Sequence, residues 1–242
     1  METFLNKSLS AIVADDYRTA AVFQRYGIAF CCKGTSTIQE ACETRKLDFA
    51  EVKKEVLAIY ANKETTGADY TSWPLPLLAD YIEKKHHRYV IGKIPVLNAY
   101  LGFITTVHKA QHPELQEIYT FFTESAAALQ RHTKEQEATL FPSIRKLFHA
   151  GADMQTMAAS ASGTLQNLIE AMMSEQEQEG ERFMKIAELS NQYRPPAGAC
   201  PTYKAAFATL QEFEKDLHTH IHLENNILFP GAMEQEKQLF PH

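Results

Sequence analysis

A chain of 242 residues, 45% of them hydrophobic, can bury a substantial core, as one large domain or two smaller ones. Its formal net charge of -6, from 24 Lys and Arg against 30 Asp and Glu, leaves no basic stripe to draw a nucleic-acid backbone, so nucleic acid is not an expected partner. The start, "METFLNKSLS", lacks the basic flank and apolar run of a secretory signal, and the most apolar stretch, Tyr89 to Val107, is broken by Lys93, Pro95 and Asn98; no membrane association is expected. Four cysteines (Cys31, Cys32, Cys42, Cys200) are too few and too clustered for a secreted disulfide framework, which points to free thiols in a reducing cytoplasm.

Helical periodicity dominates from the first element onward. Leu9, Val13, Tyr17, Ala20 and Phe23 recur at steps of three or four, predicting one helix from Leu9 to Tyr26 that Gly27 stops. Ser36 with Gln39 reads as a capping box opening a helix through Arg45, and Asp48 with Glu51 opens another to about Ala61. Residues 1–62 thus form a small helical domain. Residues 63–74, polar and closing on Pro74, read as a linker. Beyond it, residues 75–242 carry four long helical patterns, at Leu75 to Ala110 with a kink at Pro95, Pro113 to Ala150, Ser160 to Tyr193, and Pro201 to Lys237. Four long helices on short connections predict a four-helix bundle, so the fold class is all-α.

Two stretches share one frame: "HTKEQEATLFP" from His132 and "HIHLENNILFP" from His220. His220 and Glu224, four apart, present an imidazole and a carboxylate on one helix face, a metal-ligand spacing. His132 occupies the matching place on the second bundle helix, and the first supplies His87 and His108. Several imidazoles and a carboxylate converging in a bundle suit a first-row metal, above all a pair of irons. Phe141 and Phe229, in the repeated Phe-Pro, read as core anchors that fix how each histidine enters the interior.

The chain resembles the repair-of-iron-centres proteins, which join a small N-terminal domain to a hemerythrin-like bundle. "YGIAFCCKGTSTIQEAC" is similar to the family's N-terminal Tyr-Gly-x-x-Phe-Cys-Cys signature, "HIHLENNILFP" to its C-terminal one, and "PPAGACPTY" to its inter-helix segment. The resemblance implies a hemerythrin-like four-helix bundle, a non-haem di-iron site, and a role in restoring iron-sulfur clusters damaged by nitric oxide or oxidants, with iron-sulfur proteins as recipients; a homodimer is an assembly open to the chain. Its metal ligands fall on His87, His108, His132, His220 and Glu224.

Two positions depart from that pattern. The family's bridging glutamate falls on Gln136, and its third-helix histidine on Gln176 within "EQEQEGE". A neutral amide offers one weak carbonyl donor and no charge compensation, so at least one of the two metal positions should weaken. Acidic neighbours could substitute: Glu135 and Glu137 flank Gln136, and Glu175 and Glu177 flank Gln176. A π-bulge would turn Glu137 toward the site. Two irons, one iron, or a metal-free bundle acting as a small-ligand sensor or interaction module all follow from these residues, as does an oxidase or peroxidase. Cys31 and Cys32, with Lys33 beside them and a helix start ahead, suit a redox or cluster-contacting thiol role as well as ordinary packing.

Overall fold

The computed structural model describes residues 6–28, 30, 35–61, 69–149 and 164–239. Within them the chain is helical, and the β pairing present is an isolated bridge between Ser8 and Thr37. The N-terminal unit holds α1 (Leu9–Asp15), α2 (Ala20–Arg25), α3 (Ile38–Arg45) and α4 (Phe49–Ala61). The helix expected from Leu9 to Tyr26 breaks at Asp16, whose extended backbone ends α1 and whose carboxylate accepts the N–H of Arg18 at 3.1 Å, opening a short 3-10 turn. Gly27, at φ 64, ends α2 as expected. The capping box lies one residue later than the sequence suggested. Ser36 gives its carbonyl to the N–H of Leu9, so Thr37 becomes the cap and exchanges hydrogen bonds with Glu40.

Four long helices form the bundle. α5 comprises Leu75–Tyr81, a π turn at Ile82–His87 and Arg88–His108; α6 comprises Glu114–Glu135, a π turn at Gln136–Leu140 and Phe141–His149. α7 is Thr164–Leu189, and α8 runs Pro201–Leu223, a π turn at Glu224–Leu228 and Phe229–Leu239. α7 ends sooner than expected because Asn191, Gln192 and Tyr193 all take left-handed φ; the expected start at Ser160 lies outside the described residues. α5 continues through Pro95. By length and composition it could cross a membrane, yet Val90, Ile94, Leu97, Leu101 and Ile104 are fully or nearly fully buried in the bundle. Residues 69–74, expected as linker, pack tightly: Tyr70 and Trp73 meet Tyr81 with ring centroids 5.4 and 5.3 Å away.

The Phe-Pro repeat accounts for two of the π turns. A proline inside a helix has no N–H to donate and crowds the carbonyl four residues earlier, here Ala138 before Pro142 and Asn226 before Pro230. Widening the preceding turn relieves both problems, and the π turns enclose those two residues. Phe141 and Phe229 follow at zero exposure and anchor each widened turn to the core.

Among the described residues the core has two apolar clusters. One joins the N-terminal unit to the bundle through residues such as Phe23, Phe122, Phe183 and Phe213; the other gathers Leu78, Ile82, Phe141, Ile169, Leu223 and Phe229. Where the two clusters meet, buried polar residues interrupt the apolar stripe of each bundle helix, and they define the site.

Candidate metal centre

The site continues the same stripes that build the core. On α7 the buried positions run Leu165, Ile169, Met172, Gln176, Glu179, Phe183 and Ile186, alternating steps of four and three. On α6 they pass from Phe122 through Leu129 to His132 and Gln136, and on α8 from Phe213 through Leu217 to His220 and Glu224. Helical geometry therefore drives these polar side chains inward. His86 and His87, adjacent in sequence, are both buried at the end of the first π turn, whose wider pitch carries them inward together.

His87, His220 and Glu224 form the tight centre, with one ligand atom from each lying within 4.8 Å of the others. His220 Nε2 is 3.1 Å from Glu224 Oε1, and the His87 and His132 rings stand 4.9 and 6.5 Å from the His220 ring. Behind the imidazoles stand carboxylates. His87 Nδ1 is 2.9 Å from Glu137 Oε1, and His132 Nδ1 is 3.0 Å from Glu175 Oε2. A carboxylate can only accept, so each Nδ1 carries the hydrogen and each Nε2 is left as the coordinating nitrogen, the arrangement that orients histidine ligands in metalloproteins. Gln136 and Gln176 each donate an amide N–H to Glu224 Oε2, Gln136 at 3.1 Å.

The electrostatics favour the ligand forms of His87 and Glu224, whereas Glu224 favours a proton on His220 that a bound cation would displace. Burial, followed by the charge of His220, pushes the His87 pKa down to about 3, which keeps that ring neutral. Burial alone would raise Glu224, but the charge and hydrogen bond of His220 outweigh it and hold the carboxylate ionised. Burial alone would lower His220, and Glu224 outweighs it.

The chemistry of the unpartnered atoms at this centre fits a cation. His87 Nε2, His132 Nε2, His220 Nδ1 and Gln136 Oε1 are buried without a hydrogen-bond partner. Each such group costs about 1–3 kcal/mol of unrecovered desolvation, which a cation bound by neutral imidazoles and one carboxylate would offset.

Of the residues expected from the sequence, His87, His132, His220, Glu224, Gln136 and Gln176 are brought together. His108 is not. It lies twenty-one residues beyond His87 on α5, about 30 Å along the helix, with Nε2 3.3 Å from Cys200 Sγ and its ring edge-on to Tyr203. Glu137 is also corrected. A π turn does follow His132, but it begins at Gln136, so Gln136 takes the inward place at zero exposure while Glu137, a third exposed, supports His87 from outside. Cys31 and Cys32 lie outside the described residues. Sequence reasoning missed His86 and Asp216, whose side chains meet at 3.0 Å. The spacing Asp216, His220, Glu224 along one face of α8 was the available signal.

A four-helix bundle with a buried histidine and carboxylate centre, one carboxylate behind each of two imidazoles, defines a helical metal-binding protein. The Hemerythrin HHE cation binding domain matches residues 79–232, and the chain belongs to that family. A second model, described as a domain of unknown function (DUF542), matches residues 5–60. Among similar curated proteins, the iron-sulfur cluster repair protein ScdA of Staphylococcus haemolyticus is 28% identical, covering 93% of this chain and 97% of its own. The iron-sulfur cluster repair protein YtfE of Musicola paradisiaca is 30% identical over 96% of this chain and 99% of its own. A probable iron-sulfur cluster repair protein of Haemophilus influenzae is 28% identical over 97% and 100%.

Proposed function

We propose that this protein binds iron at His87, His220 and Glu224, with His132 alongside, and helps restore iron-sulfur clusters damaged by nitric oxide or oxidants in recipient proteins of a reducing cytoplasm. The observation that carries the reading is the set of unpartnered imidazole nitrogens around one buried carboxylate. The likeness to named repair proteins over nearly the full length supports the cellular role.

Bound iron would supply a redox-active Lewis acid and a transferable ion. The chain's own residues set its surroundings. Glu137 and Glu175 fix the tautomers and ring orientations of His87 and His132, Glu224 supplies the negative charge, and Phe141, stacked on His87 with centroids 5.4 Å apart, keeps water from that side. Gln136 and Gln176 occupy Glu224 Oε2 with amide hydrogens, the oxygen a bridged second ion would need, so we read one iron at this centre. Phe30, just before Cys31 and Cys32, is buried with its ring 6.0 and 6.4 Å from those of His218 and His222 on α8, and the thiol pair is proposed as the contact with a recipient.

The test is the iron content of protein from iron-replete cells, paired with reactivation of a recipient enzyme whose cluster has been oxidised. About one iron per chain and restored activity are expected. Iron-free protein that restores nothing would instead support a ligand-sensing or interaction bundle.

A further inference from the structure

Among the described residues α5 leaves one long face uncovered. It packs mainly against α6 and α8, and its outer side from Ile91 to Val107 lies open for about 25 Å. The outward face of a bundle helix is ordinarily charged. This one is not. Between positions 91 and 107 the lone charged residue is Lys93, whose Nζ lies over the Tyr89 ring at 5.5 Å, and Tyr89 packs toward Phe213 of α8, so that charge stands off the open side. Phe103 and Val107 are 51% and 53% exposed and Val96 is 38% exposed; with Pro95 and Ala99 they form a continuous apolar stripe at helical steps.

The stripe is complementary to itself. Phe103 and Val107 stand toward one end, and toward the other lies Gly92, where an added Cβ would meet nothing within 4 Å. In an antiparallel pair related by a two-fold axis through Ala99, a residue n places before 99 faces the residue n places after it on the other copy. Phe103 then lies on Pro95, Val96 on Gly102, Thr106 over Gly92 and Ala99 on itself. Each bulky side chain meets a small or flat one, the condition for two helices to interlock.

We propose that this face of α5 is the interface of an antiparallel homodimer, its occupant a second copy of the chain. Covering the stripe on both copies removes roughly 1,000 Å2 from water, the lower bound for a specific interface, so the dimer is reversible and concentration-dependent. Charge favours the same face. Each copy carries a net -6, and across this uncharged stripe two copies meet without opposing like charges. That net charge also weighs against an anionic lipid surface as the occupant. The inference is independent of the iron reading, because the stripe faces away from His87, His132, His220 and Glu224, all of which are buried.

The experiment is sedimentation equilibrium of the full chain over a range of concentrations. A reversible monomer–dimer equilibrium is expected. Phe103→Glu and Ala99→Glu should each raise the dissociation constant about tenfold or more, while the melting temperature of dilute protein and its iron content stay at natural values. Ala99→Cys should form an intermolecular disulfide located by peptide mapping. Thr106→Cys lies about 20 Å from its own mate and should cross-link only when mixed with Gly92→Cys. A chain that is monomeric at every concentration overturns the proposal, as does a dimer that Phe103→Glu and Ala99→Glu leave intact. Self-cross-linking of Thr106→Cys would make the pair parallel and overturns the axis through Ala99. Monomers that instead float with phosphatidylcholine vesicles, and cease to in Phe103→Glu, assign the face to lipid and overturn it as well.

Discussion

Gln136 donates its side-chain amide to Oε2 of Glu224 across 3.1 Å, where a carboxylate at the same position would repel it. The contact explains how this bundle can bury an ionised glutamate at zero exposure with only amides on one side of it. Two amide hydrogens stand in for positive charge that a bridged metal pair would otherwise provide, so the substitutions at 136 and 176 act together.

Gln136→Glu combined with Gln176→His should reverse that arrangement. Without metal the double variant places two carboxylates together in the interior and should lose on the order of 2–4 kcal/mol of stability. A void of about 10 Å3 lined by His132, Gln176 and His220 already offers room for an ion there. Urea unfolding with and without Fe2+ should show a larger metal-dependent gain than in the natural protein, with one more ion bound per chain. A variant equally stable in both conditions and unchanged in stoichiometry would refute this account.

Glu224 and Glu137 should differ in kind. Glu224→Gln removes the buried carboxylate of the tight centre and should abolish stable iron binding. Glu137→Gln leaves the ligands in place but loosens His87, which should cost about 10- to 100-fold in affinity. Chelator competition measures both, and equal losses would make Glu137 a direct ligand.

His108→Ala should leave iron content unchanged, because His108 sits at the far end of α5 beside Cys200. The loss of that contact should cost roughly 1 kcal/mol or less. Loss of iron in this variant would contradict the placement of His108 away from the centre.

Glu214 provides a pH test away from the metal residues. Burial pushes its pKa from 4.5 up to about 7. The unfolded chain releases this proton near 4.5 while the folded protein holds it to about 7, so this group's contribution to stability falls as pH rises between those values. Glu214→Gln should therefore be more stable than the natural protein at pH 8, by about 2–3 kcal/mol at most, and nearly equal to it at pH 4.5. Denaturation midpoints at the two pH values decide it, and an advantage that is the same at both would rule this origin out.

The sequence by itself determined the class of fold and most of the site. Period-3.6 stripes are local, so α5 to α8 and their inward faces were legible, and the repeated frame marked His132, His220 and Glu224 because residues four apart on a helix must share a face. The Phe-Pro repeat also carried the two π turns of α6 and α8, since proline acts on the turn just before it. What required the tertiary structure was everything set between helices. Which residue of the Gln136 and Glu137 pair turns inward depends on where the π turn begins relative to the core, and His108 is excluded because a straight helix carries it about 30 Å from His87. The pairings of His87 with Glu137, His132 with Glu175 and His86 with Asp216 join residues 50, 43 and 130 positions apart. No local spacing encodes such contacts, because they arise only when the bundle brings separate helices side by side.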